Sequence, residues 1–335
     1  MSGLAVLVAQ LLAAHPTAAL DEHQLAVVIN DADPQSATLG AYYVERRRIP
    51  AENVIHLRFD AKGDVLDPAE FDPLMIKVKI ATPPGVQAYA LTWTRPYRVG
   101  CMSITTAFAM GYGPRFCASG CRPTAPNPYF NAESGRPYDD ANIRPAMMIA
   151  AENVANAKRL IDRGVAADFT APKDAAAYLV MTSDTARNTR VPEFAAVRQA
   201  FASRLPVNLV RADGIRDRHD VMFYFTGTAH VPALDTLGFL PGAIADHLTS
   251  AGGVLFGGSQ MSVLRWLEAG ATGSYGTVVE PCNFPQKFPD PALAMKFYLH
   301  GETLIEAYWK SVVWPGQGLF VGEPLARPYA AKHEE

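Results

Sequence analysis

The chain has 335 residues, 49% of them apolar, and a formal net charge of -3. That length and composition exclude an intrinsically disordered protein and supply a core for one large or two ordinary domains. The slight acidic excess excludes a surface built to neutralise a run of phosphates, so no nucleic-acid partner is expected.

The N-terminal stretch from Gly3 to Ala14 is apolar, too short to span a bilayer and of the right length for a signal-peptide core. Thr17 and Ala19 supply small cleavage-site residues, although no Lys or Arg precedes the apolar run. Residues 1–19 are read as a signal peptide, which places the protein in the periplasm or outside the cell. The alternative is a cytoplasmic protein with a buried N-terminal helix. No later segment reaches the length of a membrane span.

The run QLAVVIN, 24–30, is apolar and β-branched, and NVIHLRF from Asn53 is a second such run. Between them Asp33 precedes Pro34, a cap followed by a proline at the first helical position, and Leu39, Tyr42 and Tyr43 recur at helical spacing. Arg46, Arg47 and Arg48 close that pattern, where cations complement the negative helix end. A helical pattern over 67–80 leads to a strand in VQAYALTW, 86–93. This β-α-β-α-β order implies a parallel sheet with helices on its faces.

Residues 95–142 read as a long Gly, Pro and Asn-rich loop, of a length that is usually functional or a cover. A helix over 146–163 follows, then a strand at AAAYLVM, 175–181. The series continues with DVMFYFTGT, 220–228; a helix from Pro241 to Ser250; a strand at GGVLF, 252–256; a helix from Gln260 to Ala269; and a strand at TGSYGTVV, 272–279. Thr303 and Glu306 have capping-box spacing at the start of a last helix. The fold class is α/β in three layers, a mostly parallel sheet with flanking helices, in two units, 20–165 and 166–335.

Ligands in such sheets sit outside the carboxyl ends of strands, so residues there are the candidates. Asn30, Asp31 and Asp33 follow the first strand, where they either hold a cation or serve the cap. His230, in FTGTAHVP, stands where a general base must stand, or is an ordinary loop histidine. Ser259 and Gln260 follow GGVLF. Glu280, Cys282 and Asn283 follow the last strand of the series, and Cys282 is a nucleophile, a disulfide partner or a small buried side chain. Arg95, Tyr97 and Arg98 either present a positive, aromatic wall to an anionic or glycan ligand or anchor the long loop.

Cys101, Cys117 and Cys121 are disulfide candidates, and four cysteines allow three connectivities. The loop FCASGCRPTAP has no histidine to complete a zinc site, so no metal centre is expected there. Gly270, Gly273 and Gly276 precede strand and loop rather than a helix N-terminus. They read as close-packing positions, and no cofactor is expected.

The segments VVINDADPQSATLGAYYVERRRIPAENV, GGVLFGGSQMSVLRWLEAGATGSYGTVVEPCN, KFPDP and GETLIEAYWKSVVWPGQGLFVGEPLARPY resemble a bacterial family of exported proteins that occurs alongside PEP-CTERM sorting systems. The resemblance spans residues 24–329, implies an exported soluble protein and brings no reaction with it. More distantly, the strand order and the terminal GEPL are similar to gingipain-like and caspase-like cysteine peptidases, which place a histidine after one strand and a cysteine after the next. His230 matches the first place, whereas Gly257, Gly258 or Ser259 stands in the second.

Three functions follow as expectations. The first is a non-catalytic or degenerate scaffold that binds, or assists processing of, a protein, peptide or glycan of the cell envelope or secretome. The second is a cysteine hydrolase or transpeptidase using Cys282 and His230, oriented by Glu280 or Asn283. The third is a cation-dependent hydrolase using Asp31 and Asp33.

Overall fold

A computed structural model describes residues 19–118, 121–280 and 282–332; the expected leader, apart from Ala19, lies outside the described residues. The first apolar run forms β1 (Leu25–Asn30), buried along its whole length. Asp33 caps α1 (Pro34–Arg47) by accepting the Gln35 amide at 2.9 Å, with Pro34 where no amide is needed. Then come β2 (Val54–Leu57), the two-residue β3 (Val65–Leu66), α2 (Pro68–Ala81), capped by Asp67, and β4 (Ala88–Leu91).

The stretch over 95–142, expected as loop, carries structure of its own. β5 (Arg98–Val99) and β6 (Met102–Ser103) join β3 in a small second sheet. Ser103 caps a buried helix, α3 (Ile104–Met110), and α4 (Pro137–Ala141) closes the stretch. The expected helix over 146–163 divides into β7 (Ala146–Met148) and α5 (Val154–Ala167), the latter capped by Asn153. Three residues of strand are too few to show a period.

The second series contains β8 (Ala176–Met181), α6 (Phe194–Phe201), β9 (Val207–Arg211), β10 (Val221–Gly227), β11 (Phe239–Leu248), α7 (Leu264–Ala269) and β12 (Gly273–Thr277). The chain ends with α8 (Pro291–Leu299), α9 (Leu304–Lys310) and β13 (Gly318–Gly322). The capping box at Thr303 and Glu306 is formed. Two expectations are corrected here: the helix over 241–250 is strand β11, and GGVLF is a loop rather than a strand. Ala243, Ile244 and Leu248 mimic a helical stripe. Yet Ile244 and Leu248 enter the principal core while Ala245 enters a second core around Trp266. A strand covered on both faces has no polar face to reveal its period of two.

The main sheet has the order β2-β1-β4-β7-β13-β12-β11-β10-β8-β9. Every neighbouring pair is parallel except β12 and β13, which run antiparallel with Tyr275 opposite Phe320. The protein is therefore a three-layer α/β fold made of two parallel half-sheets joined at one antiparallel seam. β13, last in the chain, completes the first half-sheet. Because direction reverses at the seam, the carboxyl ends of β1, β2, β4 and β7 leave one edge and those of β8 to β12 leave the opposite edge. The candidates at the carboxyl ends of the strands therefore do not all share one rim.

A buried ion network ties the first helix to the end of β13. Arg47 donates from Nε to Glu323 Oε1 at 2.9 Å and from Nη1 to Asp168, while the Tyr43 hydroxyl donates to Glu323 Oε1 at 2.6 Å. The Arg47 side chain is 7% exposed and that of Glu323 is fully buried, so this arginine does more than complement a helix end.

Candidate functional site

The carboxyl ends of β8, β10, β11 and β12 converge on one edge of the second half-sheet, and their side chains bind one another. Gly227 ends β10 against the turn at 185–187. A Cβ there would lie 2.0 Å from the Arg187 carbonyl oxygen, so the approach requires glycine. Thr182 Oγ1 donates to the Gly227 carbonyl at 2.6 Å, and Asn188 Nδ2 donates to the Thr182 carbonyl at 2.8 Å. Arg187 donates from Nε to Thr249 Oγ1 at 2.9 Å and from Nη1 to Asp184 Oδ2 at 2.7 Å. The Thr249 hydroxyl donates in turn to Gln260 Oε1 at 2.8 Å, which also accepts the Ala251 amide at 2.7 Å. Thr277 Oγ1 lies 2.9 Å from the Ser250 carbonyl it donates to.

Beneath this rim, consecutive residues of β11 face opposite layers. Arg190 Nη2 lies 2.7 Å from Asp246 Oδ1, placed for ion pairing but out of line for a hydrogen bond, and donates to the Thr226 carbonyl at 2.7 Å. Burial pushes the Asp246 carboxyl up, and Arg190 opposes that shift. His247 accepts the Trp266 indole N–H at Nδ1, 2.9 Å, so its proton sits on Nε2 and is donated to the Met261 carbonyl at 3.0 Å. Burial depresses its pKa to about 4. A neutral imidazole with both nitrogens engaged is a structural brace.

The sequence-derived candidates separate into distinct places. Cys282 follows β12 beside Glu280, whose Oε1 accepts the Cys282 amide at 2.7 Å, but its sulfur is bonded to Cys121. Of the three alternatives open for Cys282, nucleophile, disulfide partner or small buried side chain, this structure has the disulfide partner. Cys101 pairs with Cys117, and both disulfides have Cα separations of 5.4 Å. His230 is exposed, and its imidazole makes no hydrogen bond or ion pair with a described residue; only its backbone closes a turn with Thr228 Oγ1. Ser259 is exposed in the loop after β11. Because GGVLF is not a strand, Gly257, Gly258 and Ser259 do not stand at a strand exit; Thr249 and Ser250 follow β11, and the Thr249 hydroxyl is already committed to Gln260. Asn283 donates to the Ala186 carbonyl at 2.7 Å, and it and Gln260 hold loops together.

Asn30, Asp31 and Asp33, at the exit of β1, lie at the opposite edge. Asn30 is buried, donating to the Phe59 carbonyl at 3.0 Å and accepting the Phe59 amide at 3.1 Å. Asp31 is exposed and pairs with His56 at 2.8 Å, while Asp33 caps its helix. No group of three or more metal-ligating side chains occurs among the described residues, so the cation reading of Asp31 and Asp33 has no support in their geometry. Arg95 lies 2.7 Å from Asp64 Oδ1 and stacks 3.9 Å over Phe256; Tyr97 donates to Asp64 Oδ2 at 3.0 Å; Arg98 donates to the Gly100 carbonyl at 3.0 Å. These three anchor the segment rather than line a crevice.

The residues that organise the rim, Arg187, Asn188 and Thr249, were not singled out by sequence. Reading DHLTS as the end of a strand is the signal that finds Thr249. Lys287 was also missed: it is buried, its Nζ lies 5.3 Å from the Phe284 ring, and burial lowers its pKa against the opposing charge of Glu280. The chain matches no protein-family model, no curated protein and no solved structure, so its functional reading rests on this geometry. Fold and site together define a three-layer α/β protein whose polar strand-end rim is held by its own hydrogen bonds.

Proposed function

We propose that this protein is an exported, non-catalytic scaffold of gingipain/caspase-like descent that binds, or assists processing of, protein, peptide or glycan partners at the cell envelope. The observation that carries the reading is the bond between Cys282 and Cys121, which removes the one thiol that follows a strand of the second half-sheet. Supporting the architectural likeness are the strand order β12-β11-β10-β8-β9 and a histidine just past β10. Supporting export is the use of all four cysteines in disulfides, which persist in oxidising compartments.

The test is alkylation of the purified protein by iodoacetamide at neutral pH, before and after reduction, in the parent and in His230→Ala. No modification before reduction, and ordinary thiol reactivity of Cys282 after it, is expected. Reaction of Cys282 much faster than a free thiol of pKa about 8.5, lost in His230→Ala, would replace the scaffold with the cysteine hydrolase or transpeptidase.

A further inference from the structure

A cavity of about 540 Å³ opens at the amino ends of β4 and β7, far in sequence from the strand-end rim. Its floor is Tyr89 of β4 and Ile143 and Arg144 just before β7. One wall is Phe108 at the end of α3, and another is the loop carrying Arg115 and Phe116. Among the described residues three cations line it, Lys79, Arg115 and Arg144, and no carboxylate does. None of the three is in an ion pair with a described residue.

Arg144 is the decisive group. Only 8% of it is exposed, its Nε donates to the Val86 carbonyl at 2.8 Å, and its guanidinium stacks 3.3 Å over the centre of the Tyr138 ring. One edge is thereby fixed and the plane is held by an aromatic face, while the buried charge has no counter-ion. A buried cation without a counter-ion is costly, and a guanidinium fork matches the paired oxygens of a carboxylate or phosphate. Apolar and aromatic side chains around it, including Met75, Phe108 and Phe116, suit a ligand with an apolar body.

The wall is held before any ligand arrives. The Phe116 carbonyl accepts Gln317 Nε2 at 2.5 Å, Ala125 donates its amide to the Arg115 carbonyl at 2.9 Å, and the Cys101–Cys117 bond ties the end of this wall to the start of α3. Asn127 Nδ2 donates to the Trp309 carbonyl at 2.7 Å and the Val312 carbonyl at 3.1 Å, fastening the same loop to α9. Cost of ordering on binding is correspondingly small.

We infer that this cavity is a binding site for a small organic anion, an apolar or aromatic body carrying a carboxylate or phosphate that pairs with Arg144, with Lys79 and Arg115 at the mouth. The inference names a ligand class for the scaffold proposed above but does not use the strand-end rim. Its failure would leave the non-catalytic reading standing, and an active Cys282 would leave this cavity untouched.

The test is calorimetric titration of the oxidised full chain with phenyl phosphate, benzoate, phenol and inorganic phosphate. Saturable one-site binding of phenyl phosphate or benzoate, at least about tenfold tighter than phenol and inorganic phosphate, is expected, because the charge and the body each contribute. Whichever of the two anions binds tighter identifies the acid group. Arg144→Gln should weaken binding by about tenfold or more. Should that variant misfold, the double variant Lys79→Ala, Arg115→Ala replaces two exposed side chains, and should weaken binding several-fold with an unchanged melting temperature. Phenol binding as tightly as phenyl phosphate, unchanged affinity in the charge variants, or no saturable binding of either anion at millimolar concentration would each overturn the inference.

Discussion

Two regions near the same edge of the sheet differ in one respect, whether their polar groups are already used. At the carboxyl ends of the second half-sheet, Arg187, Thr249, Gln260 and Asn188 bind each other, and Arg190 is paired with Asp246. At the amino ends of β4 and β7, Arg144 is also buried but faces a cavity with no counter-charge among the described residues. The rule that ligands sit at carboxyl strand ends points to the first region. Unspent hydrogen-bonding and charge capacity points to the second, and it is the stronger criterion because a site needs groups free to bind.

The comparison is broken or sharpened by measurement, beginning with the crosslink between the regions. Cys121–Cys282 spans 161 residues of sequence and Cys101–Cys117 spans 16. On the loop-entropy argument the paired serine variants should lose about 5 and about 3 kcal/mol respectively in urea unfolding. Equal losses would mean that the long crosslink does not restrict the unfolded chain as its span implies.

Next in size is Asp246→Ala. It strips the counter-ion from a buried guanidinium and should cost about 3–5 kcal/mol by the same unfolding measurement. Arg144→Gln in the cavity should change stability by about 1 kcal/mol or less, because the loss of one hydrogen bond and a ring contact is offset by relief of an unpaired charge. If the two variants cost the same, the regions do not differ as described.

Between these two lies a pH effect. His247 is fully buried with its pKa lowered from 6.5 to about 4. Between those values the unfolded chain binds a proton that the folded chain refuses, so stability falls as pH drops from 6.5 toward 4. The loss approaches about 3 kcal/mol. In urea unfolding at pH 7 and pH 4.5, the parent should lose stability relative to His247→Gln by about 2–3 kcal/mol on going to the lower pH; the comparison with the variant removes the opposite contribution of buried carboxyls such as Glu302, whose pKa is raised to about 8. The smallest effect is expected at the far edge, where Asp31→Asn removes an exposed pair with His56 and should shift stability by less than about 0.5 kcal/mol.

Much of the fold was legible. β1, β4, β8, β10 and β12, the caps at Asp33 and Thr303, and the close packing of Gly276, where a Cβ would meet the Gly252 backbone at 2.5 Å, are all announced by local pattern. β11 was not, since both of its faces are buried and its polar residues, Asp246 and His247, find partners in opposite layers. β9, α6, α8 and β13 were also silent. β13 is five residues between turns, and α8 is apolar nearly all round because it is covered on every side. Of the candidate site, the residue types at the strand exits were legible and their engagement was not: no spacing reveals that Cys282 meets a cysteine 161 positions away.

By itself the sequence determined the class of the protein: a parallel α/β chain with sparse cysteines and no surplus of positive charge. Periodicity, capping and composition are local properties, and each is written within a few residues. Tertiary structure alone decided which strand ends share an edge, which cysteines are bonded and which buried arginine lacks a counter-ion. Those outcomes depend on the antiparallel seam between β12 and β13, a pairing of segments about forty residues apart that turns one half-sheet against the other.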